Sequence, residues 1–534
     1  MIRRIAGIFG AAGLAALALA LSSEPAAARH LAAALPILAV LALMVGLGWG
    51  GHQAGPAGWL IGLVVGWAVF GLTFEVWWVS QLKGLLLSGF VLAVLWPALY
   101  LYHIVAEAGG IRALATALQA LIRDRGLLLI VMAWAFSGML EGLAGFGLPV
   151  AIVAPMLVSL GVPPVAAVAA VAVGHAWSVT FGDMGVIFQT LTGLVDADEG
   201  RLAATAAALL GAACLATGLS AARILGQGRR WPAVLPLAAV MSAAQYGLAV
   251  TGLTPLAAFG AGLAGILCGA LLSAARRRST SAPDPSIPFQ LTPSLLAAAG
   301  AYGGLAALLS AITLIPALND ILRQVIWKVS FPQVATTDGF MTEAGSGQAI
   351  RPLVHPGAAI LLAAILSYAV YRRRRMVPPG GWRIAAGATW RSAMPATIGI
   401  VSMVGLSTLM DHTGMTQRLA GALADLLDTA FPLVSALVGM LGAFATGSNN
   451  NSNVLFASLQ EEVALLLGIA PGLLAASQTT GGALGSMIAP AKIIVGCSTV
   501  GLQGRDGDVL RVTLPYGLAI GLGIGALALV ASVI

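Results

Sequence analysis

Long apolar runs, separated by short polar or basic segments, recur along the whole chain. A bilayer requires about 20 mainly apolar residues for each helix that spans it. Stretches suited to such helices lie near 31–48, 56–73, 85–105, 127–140, 163–182, 201–222, 233–251, 256–274, 295–316, 356–371, 392–410, 430–445, 468–488 and 509–533. Only 9% of the 534 residues are charged, whereas soluble domains carry about 25%. These runs exclude a water-soluble fold and predict an all-α polytopic membrane protein with about 12–14 transmembrane segments.

Arginine clusters predict which helix ends face the cytoplasm, because positive charge resists translocation. The arginines at 229–230, 276–278 and 372–375 are separated from each other by two predicted spans, so all three clusters fall on one side. Only three clean spans separate Arg125 from Arg229, and an odd number would put these two arginines on opposite sides. An unusual segment in this interval is therefore needed to place both on the cytoplasmic side. We therefore attribute the net charge of +7 to basic residues that mark the cytoplasmic ends of helices. The arginines form no basic face with interleaved aromatics, which argues against nucleic-acid binding.

Two apolar halves are joined by a polar linker. Residues 1–30 begin with a basic pair, continue as an apolar run and end in small residues, which is typical of a signal peptide or of a first transmembrane segment. The first half covers 31–275 and the second covers 295–534. Between them, 276–294 is rich in Arg, Ser and Pro and is predicted to be a cytoplasmic linker. The polar stretch 317–355 on the other side is expected to be a loop with short helices.

Two segments about 305 residues apart share one pattern of interruptions. Each has a polar, Gly-rich break, a short apolar stretch, a turn with Gly and Pro, and a helix that ends in a second polar break. The interruptions fall at 141–149, 161–164 and 175–185 in the first segment, and at 446–453, 468–471 and 477–490 in the second. Interrupted hydrophobic segments at matching places in two halves are the best sequence indication of a transporter's binding site.

The physics of the bilayer explains why such interruptions belong at a binding site. Non-helical backbone at membrane depth must be buried in protein or bathed by water, and the N-terminus of a broken helix carries partial positive charge that suits an anion. We therefore predict an inverted-repeat transporter, with repeat 1 at about 127–185 and repeat 2 at about 430–490. Each repeat is predicted to supply one re-entrant hairpin and one broken helix, and the tips are expected to meet near the middle of the bilayer.

Several motifs occur in order from about residue 31 to the C-terminus. They are Glu141-Gly-x-Ala-Gly-Phe-Gly-x-Pro-Val-Ala-Ile152, Phe181-Gly-x-Met-Gly185, Trp231-Pro-Ala-Val234 with Ala244-Gln-Tyr246, Thr446-Gly-Ser448 with Ser452-Asn453, Thr479-x-Gly-Gly482 and Gly501-Leu-x-Gly-Arg505. Together they resemble the L-lactate permease family. The resemblance implies proton-linked uptake of lactate and glycolate through the bacterial inner membrane. It also implies an inverted-repeat fold with re-entrant hairpins and elevator-like movement.

The chain departs from the usual family pattern at three places. Asn449 and Asn450 stand where the family usually has Asp and Thr, so a carboxylate is lost. His175 and Asp183 stand where the family usually has Asn and Ala, so two ionisable groups are gained. The Lys that usually follows the second Gly-Gly break is Ser486 here, with a lysine six residues later. These departures leave both the substrate and the coupling ion open.

Three ionisable side chains of the first repeat are candidates for proton coupling. An ionisable group inside a membrane costs about 3 kcal/mol or more and suggests function by default. Glu141 follows an apolar helix and opens the first break, and its alternative interpretation is a helix-end carboxylate at the water interface. His175 and Asp183 are eight residues apart, about two helical turns, so they could share one face, and Asp183 lies where the helix is expected to unwind. A packing histidine and a turn or cap aspartate are the alternatives.

The candidate substrate-binding residues are those at the polar breaks, which supply backbone and side-chain donors for a carboxylate and a hydroxyl. They are Gly142, Gly145, Gly147, His175, Ser448, Asn449, Asn450, Asn451, Ser452, Asn453, Gln478, Thr479 and Thr480. A water-exposed loop is the alternative for the residues of the second repeat. Lys492 either balances the charge of the substrate or extends to the membrane surface.

These observations predict a secondary active transporter in the bacterial cytoplasmic membrane. It would import L-lactate or a related 2-hydroxymonocarboxylate, such as D-lactate or glycolate, by proton symport, without a cofactor or a metal. A sodium-coupled carrier of another small organic anion and an anion channel are the alternatives. A membrane enzyme with His175 and Asp183 as metal ligands is disfavoured, because the six histidines are scattered and form no His-Glu-x-x-His pair. A monomer and a homo-oligomer are both compatible with the sequence.

Overall fold

The computed structural model describes residues 26–145, 147–277, 289–503 and 505–533. The helices are α1 (Ala26–Leu47), α2 (Gly51–Val69), α3 (Phe74–Glu107), α4 (Gly110–Leu121), α5 (Arg125–Leu143), α6 (Leu148–Ser159), α7 (Pro164–His175), α8 (Val186–Leu194), α9 (Glu199–Ile224), α10 (Trp231–Val250), α11 (Thr254–Arg277), α12 (Pro293–Leu314), α13 (Pro316–Leu322), α14 (Pro356–Arg373), α15 (Gly381–His412), α16 (Met415–Leu427), α17 (Phe431–Thr446), α18 (Asn449–Leu466), α19 (Pro471–Gly485), α20 (Pro490–Thr499) and α21 (Asp506–Val533). Four short strands between α13 and α14 are β1 (Ser330–Phe331), β2 (Val334–Ala335), β3 (Met341–Thr342) and β4 (Gly345–Ser346).

Most of these helices are long and apolar. Among the described residues, 11 helical stretches have the length and composition to cross a membrane, and Ala28–Met44 and Leu148–Ser159 are shorter apolar helices. The all-α polytopic class predicted from the apolar runs is confirmed. Most of the signal-like segment, before residue 26, and residues 278–288 of the linker lie outside the described residues.

Helices α5 and α6 form the first helical hairpin. The chain leaves the helix after Leu143 and re-enters at Leu148, and Gly147 in between has a φ of +81°, which favours glycine. At the open end, Arg125 Nη2 donates to Leu160 O at 2.6 Å. This contact ties the two ends of the hairpin together on one side. This hairpin lies between Arg125 and Arg229, the interval in which the count of spans predicts an unusual segment.

Helices α17 and α18 form the second helical hairpin. Gly447 at its tip has a φ of +73°. Two hydrogen bonds join the antiparallel arms: Ser452 Oγ donates to Gly439 O at 2.7 Å, and Ser435 Oγ donates to Gln460 Oε1 at 2.8 Å. These bonds satisfy the Ser452 and Ser435 hydroxyl groups, so both can be buried inside the hairpin.

The first broken helix is interrupted within 175–185, where the polar break predicts it. Helix α7 ends at His175, a 3-10 helix follows at Ala176–Phe181, and Gly182 is extended. His175 and Asp183 therefore do not share one α-helical face, because the α-helix ends before Asp183. Glycine has low helix propensity, and Gly182 together with Gly185, whose φ is +81°, interrupts the helix before α8 begins.

The second broken helix is interrupted later than the sequence pattern indicates. Gln478, Thr479 and Thr480, which were expected at the break, lie within the regular helix α19. The break comes directly before Pro490, which opens α20. Proline disfavours the helical conformation in the residue before it and has no N–H to donate. The proline therefore sets the break, whereas Gly481 and its neighbours pack inside the helix.

Two glycines at matching places in the repeats allow close helix packing. A Cβ at Gly174 of α7 would lie 2.0 Å from Ala133 O of α5, and a Cβ at Gly481 of α19 would lie 1.9 Å from Ala436 O of α17. In each repeat the broken helix thus contacts the backbone of the first hairpin arm. Small residues at helix interfaces are the usual means of such close approach in membranes.

We expect Gly481→Ala to destabilise the protein by about 1–3 kcal/mol, because the added methyl group overpacks the contact between α17 and α19. Gly523→Ala is the matched control, since Gly523 lies in α21 with nothing within 4 Å of an added Cβ. Thermal unfolding of the two purified variants in the same detergent measures the difference. Equal midpoints for Gly481→Ala and Gly523→Ala would contradict the proposed packing.

A third helical hairpin, formed by α1 and α2, was not expected from the sequence. Gly48 in its tip has a φ of +67°. Its two open ends meet the loop after α13: an Arg29 Nη2 to Asp338 Oδ2 contact of 3.6 Å lies near one end, and Thr337 N donates to Gly71 O at 2.8 Å at the other. The tip therefore points away from this loop, toward the interior of the protein.

The loop between α12 and α14 contains the short helix α13, as expected for 317–355, together with strands. Strand β1 pairs with β4 and β2 pairs with β3, both antiparallel. Strands of two residues show no alternation of polar and apolar residues, which is the pattern that predicts a β-strand. The sequence therefore gives no indication of them.

Candidate functional site

A cavity of about 350 Å³ lies where the hairpins and the broken helices converge. Both repeats contribute to its lining, through Glu141 and Asp183 from the first and residues 446–451 with Lys492 from the second. Residues 50–52 at the start of α2 and one side of α15 complete the wall. This volume lies within the range of about 300–1,000 Å³ that is usual for small-molecule sites.

The tips of the two repeat hairpins flank the start of α20. A Cβ at Gly447 would lie 3.2 Å from Ala491 Cβ, and a Cβ at Gly147 would lie 4.0 Å from Lys492 Cγ. The two polar breaks, about 300 residues apart in sequence, are therefore separated by one helix start. Residues of both polar breaks therefore line one cavity.

Four helix N-termini border the cavity. Helices α2, α8, α18 and α20 begin at Gly51, Val186, Asn449 and Pro490, and lining residues lie in or beside the first turn of each. The first N–H groups of a helix have no carbonyl partner within the helix, and the helix dipole adds partial positive charge there. These backbone groups make the cavity suitable for an anion.

A buried charged cluster joins the two repeats at this cavity. Lys492 Nζ is 3.3 Å from Glu141 Oε1, and His175 Nε2 is 3.9 Å from Glu141 Oε2. The Asp183 carboxylate accepts a hydrogen bond from Gly145 N at the first tip. Glu141 and His175 are 1% and 0% exposed, and Lys492 is 8% exposed. Lys492 is therefore directed inward to a carboxylate and does not extend to the membrane surface.

The backbone is strained beside this cluster. Asp183 and Met184 have φ values of +51° and +55°, a conformation that is uncommon for residues other than glycine. Such strain persists only where the surroundings enforce it, and it concentrates at functional sites. Here the hydrogen bond from Gly145 N holds the Asp183 carboxylate, so strain and charge occur at the same break.

Amide side chains connect the second tip to both broken helices. Asn449 Nδ2 donates to Thr180 Oγ1 at 3.2 Å and to Thr479 O at 3.1 Å, and Asn453 Nδ2 donates to Thr479 Oγ1 at 3.0 Å. Farther along, the Asn450 Oδ1 atom accepts a hydrogen bond at 2.6 Å from a threonine of α8. These bonds orient the second tip against the first broken helix.

Several of the residues proposed from the sequence line the cavity and others support it. The cavity-lining residues are Glu141, Asp183, Ser448, Asn449, Asn450, Asn451 and Lys492. The residues packed behind the wall or in the tip backbone are Gly142, Gly145, Gly147, His175, Ser452, Asn453, Gln478, Thr479 and Thr480. Gln478, for example, donates to Ser452 Oγ at 3.0 Å inside the second repeat.

Sequence reasoning missed the part of the cavity contributed by α2 and α15. Gly50, Gly51 and His52 line it from the third hairpin, and Pro395 and Gly399 line it from α15. The Gly-rich run before His52 was the available signal, but between two apolar segments it looks like a simple connecting loop. Pro395 lies inside an otherwise regular helix, which was a second available signal.

The chain is similar in sequence to known proteins over most of its length. The model of a family described as L-lactate permease matches residues 29–534. An L-lactate permease of Escherichia coli (strain K12) is 28% identical over 528 residues, covering 91% of this chain and 93% of that protein. An L-lactate permease of Bacillus subtilis (strain 168) is 27% identical, covering 88% and 89%. A glycolate permease of Escherichia coli (strain K12) is 26% identical, covering 93% and 95%.

Two solved structures are also similar to this chain. The YdaH transporter of Alcanivorax borkumensis aligns with a TM-score of 0.48 and 20% identity, covering 84% of this chain and 87% of that chain. MtrF of Neisseria gonorrhoeae, from a class of antimetabolite efflux pumps, aligns with a TM-score of 0.46 and 18% identity, covering 84% and 81%.

Proposed function

The chain belongs to the L-lactate permease family, and on that premise we propose that it carries L-lactate or a related 2-hydroxymonocarboxylate across the bacterial cytoplasmic membrane by proton symport. The members of this family are transporters, so the chain is not an enzyme. The observation that carries the proposal is a buried lysine, Lys492, in a cavity bordered by four helix N-termini.

The substrate carboxylate would bind at Lys492. Its ammonium group already lies 3.3 Å from Glu141 Oε1, so an entering carboxylate competes with Glu141 for this cation. The backbone N–H groups at the start of α18 and α20 add donors to the same anion. Asn450 and Asn451 border the cavity and would bond to the 2-hydroxyl group, because an amide offers both a donor and an acceptor.

Charge balance within the cluster supports the proposal that a proton accompanies the anion. With Glu141 and Asp183 ionised, Lys492 charged and His175 neutral, the buried set carries one net negative charge. A single proton on the two carboxylates makes the site neutral. A bound monocarboxylate restores the negative charge, and a second proton compensates for it. Burial of uncompensated charge is costly, so anion and proton are expected to move together.

His175 would receive or pass on the proton of Glu141. His175 Nδ1 lies 2.8 Å from Val171 O and donates to it, since a carbonyl oxygen can only accept. The lone pair of neutral His175 therefore lies on Nε2, which is 3.9 Å from Glu141 Oε2. A small closure of this distance would let protonated Glu141 donate to the imidazole, so the histidine stabilises the protonated carboxyl group.

Alternating access would follow from movement of the two repeats against the remaining helices. Each repeat hairpin packs on the broken helix of its own half through Gly174 or Gly481, and Asn449 links the halves through Thr180. Helices α2, α3 and α15 pack along each other, as in the Trp59 Nε1 to Gln81 Oε1 hydrogen bond of 2.8 Å. They would form the stationary frame, with both hairpins entering the membrane without crossing it.

Uptake into proteoliposomes tests this function. We expect labelled L-lactate to accumulate when an inward proton gradient is imposed, and a sodium gradient alone to give no accumulation. External lactate should also acidify the lumen. Accumulation driven only by sodium would overturn proton symport, and flux without accumulation under either gradient would indicate a channel.

A further inference from the structure

A second cavity, of about 400 Å³, lies between α12 and α14, away from the central site. Its walls are apolar along most of their length and include Leu305, Leu362 and Leu366. Gly300 and Gly304 also face it, and nothing lies within 4 Å of a Cβ added at either glycine. The two helices thus leave an apolar groove between them.

The polar groups of this groove lie at one end. Tyr371 Oη donates to Ala297 O at 2.6 Å, so this hydroxyl is already satisfied by the opposite helix. Arg374 lines the groove at the same end, beside Arg372 and Arg373, and all three are exposed. Within the described residues none of these arginines makes an ion pair with a carboxylate.

The end of the groove that contains Arg374 faces the cytoplasm by the distribution of basic residues. Clusters of about four or more arginines or lysines immediately cytoplasmic of a transmembrane helix bind anionic lipid headgroups, as do basic pockets between helices. The arginines at 372–375 are such a cluster at the end of α14. An apolar groove that ends in unpaired arginines is complementary to an acyl chain that ends in a phosphate.

We propose that this groove binds one anionic phospholipid, with an acyl chain between α12 and α14 and its phosphate on Arg374. A second copy of the chain is a poorer occupant, because it would place the same arginine cluster beside its own copy across a symmetric contact. The central transport substrate is also a poorer occupant, because the long apolar walls offer nothing to a hydroxyl group. The proposal does not depend on the transported anion.

Native mass spectrometry of the full-length protein in mild detergent tests the proposal. After addition of phosphatidylglycerol, we expect the wild-type protein to retain one lipid, and Arg374→Gln and Gly304→Leu to lower its occupancy at least about fivefold, near 1 kcal/mol. Arg374→Gln removes the phosphate partner and Gly304→Leu fills the groove. Phosphatidylcholine should bind the wild type more weakly than phosphatidylglycerol.

Two matched controls separate this site from general effects. Arg229→Gln removes an exposed arginine of the same membrane side, and Gly303→Leu adds the same bulk one residue away, at a glycine outside the groove lining with nothing within 4 Å. Both should retain the lipid. Unchanged binding in Arg374→Gln and Gly304→Leu, equal loss in the controls, or a protein dimer in place of the lipid adduct would overturn the proposal.

Discussion

Replacing Glu141 by glutamine is expected to abolish proton-driven accumulation of lactate while leaving lactate exchange intact. The amide has the size of the carboxyl group and can still accept a hydrogen bond from Lys492, which lies 3.3 Å away. It cannot take up or release the proton that we assign to Glu141 beside His175, so movement of the anion is no longer coupled to that proton. We expect gradient-driven accumulation in proteoliposomes to fall at least about tenfold, equivalent to about 1.4 kcal/mol.

The exchange assay distinguishes loss of coupling from loss of the fold. Counterflow of labelled against unlabelled lactate requires binding and movement but no net proton transfer, so Glu141→Gln should support it. Glu75→Gln is the matched control, because Glu75 is exposed near the start of α3. If Glu141→Gln retains accumulation at the level of Glu75→Gln, then Glu141 does not carry the coupled proton.

Replacing Lys492 by methionine is expected to weaken lactate binding by about 30-fold or more. Truncating one partner of a buried, hydrogen-bonded charge pair costs about 2–5 kcal/mol, and Lys492 is the cation in the cavity lining nearest to Glu141. Lactate binding to the purified variant, measured by calorimetry, should show this loss. Lys328→Met is the control, because Lys328 is exposed in the loop between α13 and α14.

The Lys492→Met change should also destabilise the protein, since it leaves Glu141 buried without its cation. A Glu141→Gln and Lys492→Met double variant is expected to be more stable than Lys492→Met alone, because removing both members of a buried pair is far less costly than removing one. This stability recovery should occur without recovery of lactate binding. Wild-type lactate affinity in Lys492→Met would contradict the assignment of this lysine to the substrate.

The general architecture and the two polar tips could be predicted from the sequence because they depend on local chemistry. Gly147 and Gly447 adopt left-handed conformations that favour glycine, so the breaks are visible in the residue pattern. The second break comes later in the chain than the Gly-Gly pair indicates, because Pro490 interrupts the helix instead. Repeated apolar runs of sufficient length determine the fold class by themselves.

The contacts that complete the site could not be predicted in this way. Glu141 and Lys492 are 351 residues apart, and neither helix propensity nor periodicity relates positions at that separation. His52 lies in the first turn of α2, after a Gly-rich connection, and its place in the cavity lining depends on how α2 packs along α15. Lys492 was predicted either to balance the substrate's charge or to extend to the membrane surface, and its tertiary contact with Glu141 argues only against the second alternative.

Substrate protection of a single cysteine tests the proposed substrate site most directly. In a background with Cys214, Cys268 and Cys497 replaced by alanine, Ser448→Cys places a thiol in the cavity lining, and Ser330→Cys places one in the outer loop. We expect L-lactate to slow modification of the Ser448→Cys variant by an anionic thiol reagent and to leave the Ser330→Cys variant unaffected. Equal modification rates at Ser448→Cys with and without saturating lactate, in a variant that still transports lactate, would contradict it.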